Sequence, residues 1–280
     1  MKITSVEIHP AQSSNVCVLS FRDPKRENPY NVKSIAGLDA DEIVARYYGS
    51  SDNSEDKYYS MVLQQRDIVA RIQLNPDFIE DESYSDLRDN IFKLVSSSRT
   101  GVIQIQFKNG TEVIAVVSGL FRKVEASLFT ETPEVQLTLE CLNPMLQGPS
   151  RTVVDVSAFD PGLSTVIDDL STAPHGFMFE MEFTGAVDTF LLTDPDQSGW
   201  SFSISPVGGF EIGDILHFSS ETNNRHLYIE RGASVIHVAD ALAPSSVWPM
   251  IFPGANAFSI TNSDFMTWRS LSYYTTYWGV

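Results

Sequence analysis

The sequence has little of what builds a reactive centre. Only two cysteines occur, Cys17 and Cys141, far apart and outside any metal-ligand spacing, which argues against a disulfide framework or a zinc site and is compatible with a reducing compartment. The five histidines, His9, His175, His217, His226 and His237, fall in no His-Glu-x-x-His, His-x-Glu or Cys-x-x-His pattern, so no metal centre and no cofactor is expected. Absent too are the Gly-x-Ser-x-Gly elbow of a nucleophilic serine and the glycine-rich loop ending in Lys-Ser or Lys-Thr that cradles phosphates. No apolar run reaches the roughly eighteen residues of a membrane helix. The opening MKITSVEIHP lacks the apolar core and small-residue cleavage site of a signal peptide, so the expectation is a soluble product of the cytoplasm with no membrane insertion. Basic residues are scarce: 19 against 36 acidic ones give a formal net charge of −17, which opposes any grip on nucleic-acid phosphates.

What the chain has is strand pattern. Its 280 residues, 42% of them hydrophobic, suffice for two cores. Ile103, Ile105 and Phe107 alternate with Gln104 and Gln106, as a half-buried antiparallel strand requires. Asn109-Gly110 follows and accepts the positive φ angles of a type I′ turn, which predicts a hairpin returning through Val113 to Val117. Val135, Leu137, Leu139 and Cys141 repeat the alternation, as do Phe177, Phe179, Met181 and Phe183. One segment departs from it: Tyr84, Leu87, Ile91, Leu94 and Val95 form a single stripe on a helix of three to four turns. Ser83 or Ser85 caps that helix, and Glu80, Asp81 and Glu82 complement its dipole. The fold class expected is mainly β with one short helix.

The stretch CLNPMLQGPSR, positions 141 to 151, places Pro144, Gly148 and Pro149 where a strand has to leave its sheet, and the linker is set there, dividing the chain into domains 1–146 and 147–280. SSDNSED at positions 50 to 56 reads as an exposed loop. Among acidic pairs, Asp168-Asp169 precedes a bend and Asp194-Pro195-Asp196 with Gly199 is turn chemistry, so neither is assigned as a catalytic pair. His217, in the run Ile215-Leu216-His217-Phe218, is a strand residue with its ring packed or hydrogen-bonded, and His226 and His237 are read likewise. Gly208-Gly209 is a turn. Tyr273, Tyr274, Tyr277 and Trp278 project alternately from a closing strand, one set into the core and one towards a neighbouring surface. No catalytic, cofactor-binding or metal-binding residue is designated, and a ligand-binding residue is left unassigned.

Four stretches carry a resemblance: GLDADEIVARYYG at 37 to 49, YSDLRDNIFKLVSSSRTGVIQIQFKNG at 84 to 110, VQLTLECLNPML at 135 to 146, and SVWPMIFPGANAFSI at 246 to 260. Their order and spacing are similar to those of the distal tail proteins of long-tailed siphophages. The resemblance implies an N-terminal β-rich domain that assembles as a hexameric ring, followed by a C-terminal galectin-like β-sandwich. It further implies a structural, non-enzymatic virion protein at the tail tip, with the tail tube protein on one side, the hub protein on the other, and genome DNA crossing the lumen unbound. The His-x-Asn-x-Arg and Trp-Gly signatures of sugar-binding galectins are absent at the expected strands, Gly199-Trp200 standing in the opposite order. A fold of that kind is therefore read as scaffold. The rival reading is a carbohydrate-binding adhesion module whose exposed aromatic residues stack on host-surface sugars.

Overall fold

The computed structural model describes residues 2–10, 16–21, 28–39, 43–48, 58–63, 65–76, 83–97, 101–127, 133–159, 165–194, 201–222, 224–261 and 263–279. The chain is mainly β, with one α-helix among the described residues, and forms two compact units. The first comprises Met1–Pro149 together with Tyr277–Val280, and the second is Ser150–Thr276. The division thus falls three residues beyond the 146/147 boundary expected, and the last four residues belong with the first unit.

The first unit contains β1 (Ser5–His9), β2 (Cys17–Phe21), β3 (Tyr30–Ala36), β4 (Ile43–Tyr48), β5 (Tyr58–Leu63), β6 (Asp67–Leu74), α1 (Tyr84–Ser97), β7 (Ile103–Asn109), β8 (Glu112–Ser127), β9 (Glu134–Cys141) and the start of β10 (Leu146–Val153). Strands β7, β1, β2, β3, β6 and β9 are hydrogen-bonded in that order, and β8 pairs with both β7 and β9, closing a seven-stranded barrel. Closure removes the free edges that would invite further strands. Alternation fills the interior: β9 buries Val135, Leu137, Leu139 and Cys141, and β7 buries Ile103, Ile105 and Phe107. The void left inside is only about 20 Å³. Where β8 crosses β9, Gly119 permits the approach, since a Cβ there would lie 2.4 Å from the Glu140 carbonyl oxygen. Among the described residues, strands β4 and β5 pair only with each other.

Helix α1 lies at the barrel end where β9 begins and β6 and β8 finish, its Leu87, Ile91 and Leu94 joining the barrel core. Ser83 is its cap: the Asp86 amide donates to Ser83 Oγ at 3.3 Å and the Ser83 amide to Asp86 Oδ2 at 3.0 Å, a reciprocal capping box with aspartate in the third helical position. Glu80, Asp81 and Glu82, and the loop 50 to 56, lie outside the described residues. The β7–β8 turn occupies Gly110 and Thr111, with Asn109 still in the ladder opposite Glu112, one position later than the Asn109-Gly110 reading. Gly110 has φ +61°.

The division between the units falls inside the stretch 141–151 where the linker is expected, but Gly148 and Pro149 do not break the strand. Residues 142–145 do leave the sheet, but Leu146–Val153 is a strand that runs through Gly148 and Pro149. Proline is tolerated because the ladder partner on β8 is Gln147, opposite Val116, so no bond to β8 is asked of the Pro149 nitrogen. Near the C-terminus of this unit, the fully buried Arg66 guanidinium donates through Nη2 to the Trp278 carbonyl oxygen, and Tyr277 packs against the barrel core. Both cysteines are free thiols, and burial pushes the Cys17 thiol up to about 12.

The second unit contains β11 (Thr165–Asp169), β12 (Phe177–Phe183), β13 (Phe190–Thr193), β14 (Ser201–Ile204), β15 (Ile215–Ser219), β16 (His226–Arg231), β17 (Ser234–His237), β18 (Gly254–Thr261) and β19 (Met266–Tyr277). One sheet runs β17-β16-β15-β12-β19 and the other β11-β18-β13-β14. Their inward residues form one core dominated by phenylalanine, with contacts between the sheets such as Phe179–Phe190 at 5.9 Å and Phe177–Phe258 at 5.3 Å. This is a β-sandwich. Phe177, Phe179, Met181 and Phe183 all point inward as their alternation predicts.

Candidate functional site

The residues able to do chemistry are spread over both units. On β1, His9 lies 3.2 Å from Glu7, whose carboxylate also accepts from Lys108 at 2.6 Å. The Lys108 hydrogen bond holds Glu7 below its usual range against the opposing effect of burial. Among the described residues no three His, Cys, Asp or Glu side chains converge as metal ligands.

The most suggestive cluster was not assembled from sequence. β11 ends on the buried Asp169, the chain bends through Pro174, and His175 returns to place Nε2 at 3.1 Å from Asp169 Oδ2. Nδ1 of the same ring faces the Gly176 carbonyl at 3.1 Å, and Tyr273 stacks on the ring at 5.0 Å. Ser171 completes an Asp, Ser and His set, but its hydroxyl donates to Asp169 Oδ1 at 2.9 Å and its oxygen accepts from the Thr276 amide at 2.9 Å. A nucleophile has to be hydrogen-bonded to its base. Here serine and histidine both address the carboxylate, so the arrangement fixes the 169–176 bend to β19. The Thr172 and Ala173 amides, both donating to the Thr276 carbonyl oxygen, reinforce it. The signal available in sequence was the spacing Asp169-x-Ser171-x-x-x-His175 around Pro174.

His217 is a strand residue, as expected: its ring lies between Glu180 at 3.3 Å and Glu230 at 3.1 Å and stacks on Tyr228 at 4.6 Å. His226 and His237 approach the same tyrosine at 5.6 and 6.3 Å. A sugar platform needs a free aromatic face. One face of Tyr228 is covered by His217. On β19, Tyr273 is buried, whereas Tyr274 is half-buried beneath the Arg151 guanidinium at 4.6 Å. Gly208-Gly209 is a turn, both residues having positive φ. Asp194 is buried, and Asp196, Gly199 and Trp200 lie outside the described residues.

The surface also offers apolar features. In the first unit a groove of about 510 Å³ is lined by Val16, Val18, Pro29, Tyr30 and Leu94, with Lys93 at its margin. In the second unit, Val207 and Ile212 stand out from two successive turns.

The chain matches no protein-family model and no curated protein. Its fold is of a class found in the adsorption apparatus of tailed phages. The particular likeness is to the SPP1 Dit (gp 19.1) protein, described as a paradigm of the hub adsorption apparatus in phages infecting Gram-positive bacteria. The two share 15% sequence identity at a TM-score of 0.61, over 97% of this chain and 98% of that one. Two structures of the phage p2 baseplate in its activated conformation also match. The strontium form has 8% identity and a TM-score of 0.46 over 98% of each chain. The calcium form has 8% and 0.48 over 99% of this chain and 98% of that one.

Proposed function

We propose that the chain is a structural, non-enzymatic subunit of a phage tail tip, which closes with further copies into a hexameric ring between the tail tube protein and the hub. The observation that carries this reading is the end-to-end likeness of fold to SPP1 Dit, covering both units. It is supported by the wiring of the cluster around Asp169, in which Ser171 and His175 both address the carboxylate rather than each other. A ring of this kind uses a heterologous contact, each copy offering one surface to the next until the rotation closes. On the same reading the surplus of carboxylates, a net charge of −17, faces the lumen and keeps passing DNA from adhering. Salt screens charge beyond about 8–10 Å, so only lumen-facing acids act.

Light scattering of the purified protein, followed by negative-stain imaging, tests the ring. A closed particle of six copies is expected, and a strictly monomeric mass at micromolar concentration would remove the connector reading. A neutral or basic lumen would leave solubility as the reason for the charge. Turnover in a screen of glycan and ester substrates, abolished by changing one Asp or Glu, would overturn the non-enzymatic assignment.

A further inference from the structure

Turn tips in soluble proteins carry Gly, Pro, Asn, Asp and Ser because those residues suit the backbone and the solvent. Two successive turns of the second unit depart from this in the same way. In Pro206-Val207-Gly208-Gly209 the Gly209 amide donates to the Pro206 carbonyl oxygen at 2.9 Å, with Gly208 at φ +86°. In Glu211-Ile212-Gly213-Asp214 the Asp214 amide donates to the Glu211 carbonyl oxygen at 3.1 Å, with Gly213 at φ +88°. Each is the arrangement of a type II turn, and each puts a β-branched aliphatic where proline is common. Val207 is 104% exposed and Ile212 75% exposed, among the most exposed large apolar side chains described.

The tips are held rigidly. Arg231 donates from Nε and Nη2 to Asp214 at 2.9 and 2.7 Å and from Nη2 to the Gly209 carbonyl at 3.0 Å, tying both turns to β16. Between the turns, Phe210 exchanges backbone bonds with Val187, and Gly213 donates to the Phe183 carbonyl. An exposed apolar group fixed in one geometry loses little freedom on being bound, which is how interface anchors are built.

We propose that this end of the second unit is a docking knob for a different protein, one presenting a concave apolar pocket bordered by lysine or arginine. The knob is convex and small. A lasting flat interface buries about 800 Å² per partner, more than two turn tips supply, so the tips have to enter a cavity. The surrounding charge sets the chemistry of the pocket rim: Asp188 and Glu211 are exposed at the tips, Asp188 Oδ1 lying 3.3 Å from where a Gly209 Cβ would stand, while Arg231 is paired with Asp214 and Glu211. These carboxylates oppose an anionic lipid surface. The groove in the first unit, were a second copy to offer it, has Lys93 alone as a basic residue among its described lining. The proposal goes beyond the ring reading and stands without it.

The test uses the full chain in the cells that make it, with a photoreactive benzophenone side chain placed at Ser205, just outside the first turn, and at Val235 on β17 as the comparison site. Irradiation from position 205 is expected to give one adduct with a different polypeptide, at a peptide combining apolar residues with Lys or Arg, and position 235 should not give it. Ile212→Ser and Asp188→Lys should each reduce the adduct about tenfold or more while leaving thermal unfolding unchanged. An adduct with a second copy, an adduct with lipid, no adduct, or one indifferent to both substitutions would overturn the proposal.

Discussion

Gly110 turns the β7–β8 hairpin at φ +61° and donates its amide to Thr4 Oγ1 at 2.7 Å. No atom lies within 4 Å of where a Cβ would stand, so the penalty for a side chain there is backbone strain alone. Gly110→Val should destabilise the first unit by roughly 1–3 kcal/mol, and Gly110→Asn by much less, because asparagine tolerates the left-handed region. Denaturant melts of the two variants check this; equal losses would mean that bulk, not φ, is the cause. Asp214 offers a second test. Burial alone would raise its carboxyl, but the Arg231 hydrogen bonds and the Glu211 amide hold it below the ordinary aspartate value. A depressed native value means that the stabilisation is present above about pH 4 and lost as the pH falls through that lower value. Wild type should therefore be more stable than Asp214→Asn at pH 7, with the gap closing on acidification below about pH 4. A pH-independent gap would assign Asp214 a role other than its charge.

Elements were legible wherever one local pattern decided them. The alternation of β7, β9 and β12 and the stripe of α1 each follow from a single face being buried, which sequence spacing records directly. What spacing does not record is which strand meets which. Closure of the barrel by β8 on β9 and the meeting of Asp169 with His175 across a bend are products of the chain path. β10 was hidden for another reason: Gly148 and Pro149 are strand breakers in a ladder, and nothing local shows that the pairing to β8 asks no bond of Pro149. At the same scale the α1 cap is open to measurement. Ser83→Ala removes the acceptor of the Asp86 amide and should cost about 0.5–2 kcal/mol of first-unit stability. Ser85→Ala, one residue inside the helix, should cost less, and the reverse ranking in thermal melts would move the cap.

In the whole molecule, the second unit is an insertion, entered after Pro149 and left before Tyr277. Removing residues 277–280 would take from Arg66 the carbonyl that accepts its Nη2 and from the barrel the packing of Tyr277. The truncated chain should lose about 1–3 kcal/mol from the first unit while the sandwich melts as before. Calorimetry resolving two transitions checks this, and an equal shift of both would mean that the units unfold as one. The same interleaving sets a timetable for synthesis. At about 5–20 residues per second, a ribosome spends roughly 6–25 s on residues 150–276. Throughout that interval the barrel has every strand but not the residues that meet its buried arginine, so it is positioned to fold first and to gain the Arg66–Trp278 bond only as the last residues emerge.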